Sequence, residues 1–93
     1  MAMTPAQFVL AVERAFTPLA DVPRAHAMRA YLLNQFEFLG LQAPVRRQAV
    51  RGIGKVNWQS PQDLLAAAEM LWQKPQREFR YTAVDLLRKH SDL

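Results

Sequence analysis

Apolar side chains recur along this chain at spacings of three and four, the period of amphipathic helices. Thr4-Pro5-Ala6-Gln7 reads as a helix N-cap, a first-turn proline and a capping-box glutamine. Behind it Phe8, Val12, Ala15 and Leu19 fall on one face with Phe16 beside them, and Pro18 is placed to end the helix early. Asp21-Val22-Pro23 opens a second helix with Asp21 as cap, Ala25, Met28 and Leu32 as its inner face, and Gly40 suited to a left-handed C-terminal position. Ala43-Pro44 opens a third, with Val45, Ala49, Ile53 and Val56 as its predicted buried stripe. Ser60-Pro61-Gln62-Asp63 starts a fourth, carrying Leu64, Ala68, Leu71 and Trp72. A fifth begins near Pro75 with Phe79, Ala83, Leu86 and Leu87 on one side.

No strand competes, because no Asn-Gly or Asp-Gly turn joins alternating runs. The expected class is all-α: about five helices in antiparallel pairs, forming either a compact bundle or the start of a HEAT-like α-solenoid. Residues 1–93 read as a single helical segment. The last five residues supply no polar capping helix, so a solenoid ending there would expose an apolar edge and invite self-association.

Charge adds a partner to this picture. The net charge is +4 and the pI about 10.1 over 93 residues. Between Glu37 and Asp63 there is no acidic residue, and Arg47, Arg51 and Lys55 stand four apart, with Arg46 beside them. Such a row lies about 200° round a helix from the predicted stripe, nearly opposite it. A one-signed row on a packed helix suits a polyanion such as a phosphate backbone; a solvated surface face is the plain alternative. A composition 51% hydrophobic and 22% charged is that of an ordinary globular domain.

Other chemistry is sparse. With no cysteine, disulfides, thiolate catalysis and the common structural zinc sites are excluded. His26 and His90 lack the spacing of a metal site, no Gly-rich phosphate loop occurs, and no cofactor is expected. Ser60 and Ser91 read as cap and terminal residues, not nucleophiles. Glu78 and Asp85 share a helix face, and Asp85 with Lys89 makes an i,i+4 pair, which together read as solvated surface. Phe8, Phe16, Phe36, Phe79 and Trp72 read as core, Trp58 as a seal between helices, and Tyr31 as a hydroxyl able to bond a phosphate or sugar oxygen. Neither a signal peptide nor a membrane-spanning run is evident, so a cytoplasmic location is the default expectation.

Several of these residues also carry a resemblance. Asn34-Gln35-Phe36, Phe38-Leu39-Gly40 and Pro44 with Arg46-Arg47 are followed by Leu71-Trp72, Pro75-Gln76-Arg77-Glu78-Phe79 and Ala83-Val84-Asp85-Leu86-Leu87. In this order and spacing the chain resembles the DNA alkylation repair family, the HEAT-repeat alkylpurine DNA glycosylases. The resemblance implies a solenoid whose concave, positively charged surface grips duplex DNA. It also implies hydrolysis of the N-glycosidic bond of cationic bases such as 3-methyladenine and 7-methylguanine. By the same likeness Tyr31, Gln42, Arg47 and Arg51 fall on or near the backbone-contacting surface, and Ala43 stands where a hydroxyl residue often caps the helix. The family's catalytic aspartate, its tryptophan neighbours and its assisting arginine have no counterpart here; neither Trp58 nor Trp72 precedes an Asp. The expectation is therefore an N-terminal, DNA-holding part of a longer protein. Tyr31, Gln42, Arg46, Arg47, Arg51 and Lys55 are its candidate contacts. A non-enzymatic module meeting nucleic acid or an acidic protein is the alternative.

Overall fold

Three local start signals become helix caps in the computed structural model, which describes residues 2–90. Thr4 Oγ1 accepts from the Gln7 N–H while Gln7 Oε1 accepts from the Thr4 N–H, closing a capping box on α1 (Pro5–Phe16). Asp21 caps α2 (Val22–Tyr31) by accepting from Arg24 N, and Ser60 caps α4 (Pro61–Trp72) by accepting from Asp63 N. α3 (Ala43–Arg51) and α5 (Arg77–Lys89) start at Gln42 and Gln76 without a side-chain cap. Pro18 ends α1 as expected, in a 3₁₀ turn over Thr17–Leu19. The architecture is all-α, with five α-helices and no β-strand among the described residues; a single parallel bridge pairs Glu37 with Gln76. None of these helices is long and apolar enough to cross a membrane.

One core runs through the molecule. Phe8, Val9, Val12 and Phe16 of α1 meet Leu64, Ala67, Ala68 and Leu71 of α4 and Phe79, Ala83 and Leu86 of α5. Phe16 and Phe79 lie 5.4 Å apart, and Trp58 sets its ring edge-on to Phe8 at 5.2 Å, sealing the connector as expected. α4 packs on both α1 and α5, while α3 touches α1 and α5. Among the described residues the backbone of α2 comes close to that of no other helix. It is held through a loop instead: Asp21 N donates to Leu39 O, and Gly40 lies so close that a Cβ would collide with the Asp21 carbonyl oxygen.

Five sequence expectations shift. α2 ends at Tyr31, where Leu33 and Asn34 take the left-handed conformation; Gly40, at φ +98°, belongs to the later loop and not to the helix end. Of the expected stripe, Ala49, Ile53 and Val56 pack against the core, but Val45 is exposed; Arg46 and Val50 turn inward on α3 instead. α3 also stops at Arg51, so Lys55 lies beyond it. Trp72 and Leu87 are exposed, the former with the Arg80 guanidinium 5.3 Å from its ring centroid. Glu78 is not solvated surface but fully buried. The expectation for residues 91–93 lies outside the described residues.

Candidate nucleic-acid interface

Glu78 explains how α3 is held. It stands in the first turn of α5, is 0% exposed, and receives three consecutive backbone N–H groups. Leu39 N donates to Oε1 at 2.9 Å; Gly40 N and Leu41 N donate to Oε2 at 2.9 and 3.1 Å. An acceptor-only carboxylate suits such a nest, because it satisfies donors that the loop could not otherwise pair. Leu41 is thereby fixed in the core immediately before the Gln42 start of α3.

The same face of α5 continues as a polar stripe, with Glu78, Thr82 and Asp85 at positions i, i+4 and i+7. Thr82 Oγ1 donates to the Glu78 carbonyl at 2.7 Å. Opposite it lies Arg46, 4% exposed, whose NH1 is 2.8 Å from Asp85 Oδ2 and 3.5 Å from Thr82 Oγ1. Arg47 joins from the surface: its Nε donates to the same Asp85 oxygen at 3.1 Å, and its side chain is 53% exposed. Burial by itself would raise the Asp85 carboxyl. The hydrogen bonds from Arg47 and Arg46, and their charges, outweigh that and hold it below its ordinary value. The Asp85–Lys89 pair expected on the helix surface is replaced by this link between α5 and α3.

Beside this link runs a groove of about 640 Å³. Its apolar wall includes Phe8, Val50, Val56, Trp58 and Leu86; its cationic side chains include Arg47, Arg51, Lys55 and Lys89. Asp85 is its one carboxylate among the described residues, and two guanidinium groups already engage it. A second, shallower depression of about 450 Å³ is lined by Tyr31, Gln42, Arg24 and Tyr81, among others. The two are neighbours, since the Arg46 guanidinium lies 5.8 Å from the centre of the Tyr81 ring.

The six candidate contacts thus divide. Arg47 and Arg51 on α3 and Lys55 after it share the groove. Tyr31, 87% exposed, and Gln42 share the depression. Arg46 also borders the groove but is 4% exposed, because it falls on the inward side of α3 and is bound there by Asp85. Sequence reasoning noted the common face of Glu78 and Asp85 but not their partners, which lie 37 to 39 residues away. An arginine occupying a stripe position with Ala49, Val50 and Ile53 is the signal that would have found them. Among the described residues no cluster of histidine or acidic side chains could hold a metal ion.

No curated protein matches the chain. A family model does: the one for the DNA alkylation repair enzyme matches residues 12–92, a span that takes in α2 to α5, the depression and all of the groove's lining but Phe8. By that match, which covers well over half of its length, the chain belongs to the DNA alkylation repair enzyme family.

Proposed function

We propose that the chain is the duplex-holding part of a DNA alkylation repair glycosylase that removes cationic alkylated purines such as 3-methyladenine and 7-methylguanine. The observation that carries this reading is the groove beside α3, where Arg47, Arg51, Lys55 and Lys89 line one surface and Asp85, the one carboxylate there among the described residues, is already engaged by two guanidinium groups. Clustered cations favour phosphates. Arg47, Arg51 and Lys55 contact the DNA backbone, while Tyr31 and Gln42 assist from the adjoining depression. Arg46 serves the fold and leaves the set of direct contacts. Binding is sequence-independent, because phosphate contacts position a protein without reading bases. HEAT-like repeats continuing the helical order of α1 to α5 would extend the same surface.

Base excision from a cationic purine asks for a carboxylate near the sugar, since the base departs neutral and positive charge develops on the deoxyribose ring. Asp85 is committed to two arginines and does not fill that role. The 93-residue chain therefore binds but does not excise. Titrating labelled duplex across salt tests the reading: three phosphate contacts give a slope of log K against log salt near −2.7, about −0.9 for each. Arg47→Ala and Arg51→Ala each weaken binding and flatten that slope by about one contact. A salt-independent isotherm would sink the proposal, and release of 7-methylguanine by the purified chain would overturn its division of labour. An equal preference for heparin, duplex and RNA would point to the non-enzymatic alternative.

A further inference from the structure

Asp85 is a carboxylate on a surface otherwise suited to phosphate. Uniform electrostatics makes it a liability, since it repels the ligand and cancels part of the cationic field. Its geometry suggests otherwise. Arg47 reaches Asp85 through Nε alone, at 3.1 Å. A guanidinium has five N–H donors in a planar fork, so four remain on its two terminal nitrogens. Among the described residues no recorded bond engages those nitrogens, and the side chain is 53% exposed. Asp85 is fixed from behind by Arg46, itself 5% exposed at the side chain, at 2.8 Å. The result is a relay from buried α3 to α5 and back to the surface of α3, with the open end of the Arg47 fork at the groove.

We infer that Asp85 is a positioning residue for DNA binding: it holds Arg47 by Nε so that the two terminal nitrogens of the guanidinium are presented to a backbone phosphate. The inference rests on the duplex-holding reading above and adds a residue of the opposite sign to it. An unrestrained arginine must lose its side-chain freedom on binding, whereas a tethered one has already lost it. The ordering cost of one long side chain corresponds to roughly a 3- to 10-fold loss of affinity when the tether is removed. Net charge predicts the reverse, tighter binding once a negative charge is gone.

The experiment measures duplex affinity and its salt slope for the unaltered chain and for four proteins built on Arg46→Met. That background matters because Asp85→Asn alone leaves a buried guanidinium without its partner, which would mix lost stability with lost binding. The four are Arg46→Met itself, and the same with Asp85→Asn, with Arg47→Ala, and with both. Positioning predicts that Asp85→Asn weakens binding 3- to 10-fold while Arg47 is present. It also predicts that the loss vanishes, or turns into a gain, once Arg47 is alanine. A purely structural role for Asp85 would give the same loss in both backgrounds and overturns the inference, as does equal or tighter binding by the Asp85→Asn protein when Arg47 is present. Failure of the unaltered chain to bind duplex in a salt-dependent way removes the parent reading, and this inference with it. Binding by the unaltered chain without an Arg47-dependent Asp85 effect removes this inference alone.

Discussion

Glu78 and Asp85 stand seven residues apart on one helix face and do different work. Glu78 carries no exposed surface and accepts three backbone N–H groups with its two oxygens. An amide has one acceptor oxygen and turns an NH2 toward donors, so Glu78→Gln should cost roughly 3 kcal/mol, read as a lower urea midpoint at unchanged slope. Gly40 is constrained at the same place. Its φ of +98° and the Asp21 carbonyl against the site of a Cβ leave no room for a side chain. Asp85 adds a pH dependence. Its folded carboxyl lies below its ordinary 3.8, so its contribution is complete above the unfolded value and is lost as pH falls through the folded one. Asp85→Asn should therefore destabilise the chain at pH 7 by about 2 kcal/mol, less than a fully buried pair because the Asp85 side chain is 30% exposed. The difference between the two proteins should narrow below about pH 4, which urea unfolding at a series of pH values measures.

Helix starts show which structure a sequence carries openly. Thr4, Asp21 and Ser60 each bond a backbone N–H three residues on, so cap and acceptor can be read from a few adjacent letters. α3 has no such signal: Gln42 takes the extended backbone of a cap, at φ −72° and ψ 158°, but makes no side-chain cap bond. Its inward stripe includes an arginine that is stable there only because Thr82 and Asp85 meet it from another helix. Periodicity assigned that slot to the nearest apolar residue, Val45, and so erred there by one position while placing the start of the helix correctly. The cationic side chains Arg47 and Arg51 were legible because exposure needs no partner; the buried member of the cluster was not. The missing cap also makes a test that separates stability from binding. Gln42→Ser should raise stability by about 0.5–1 kcal/mol. If Gln42 assists at the backbone, the same substitution should weaken duplex binding, so the two readouts move in opposite directions.

Across the whole molecule, apolar packing and polar attachment are divided among different helices. α1, α4 and α5 share the core, whereas among the described residues the backbone of α2 comes close to that of no other helix, and α2 buries only Ala25. Its attachment runs through Asp21 to Leu39 and the Gly40 contact, and that loop is itself held by Glu78. Few buried contacts mean a low free energy of local opening. Amide hydrogen exchange should then show two levels. The amides of α1, α4 and α5 should exchange only with global unfolding, while those of α2 open at a free energy lower by a few kcal/mol. Glu78→Gln should lower both levels together, because the 39–41 loop that it holds is released in the local opening and in global unfolding alike. Uniform protection across all five helices would show instead that α2 is part of the same cooperative unit. Adding duplex should protect α3 and the segment through Lys55 before any other region, if the groove built there receives the backbone as proposed. Protection centred on α2 would move the primary contact to the Tyr31–Gln42 depression.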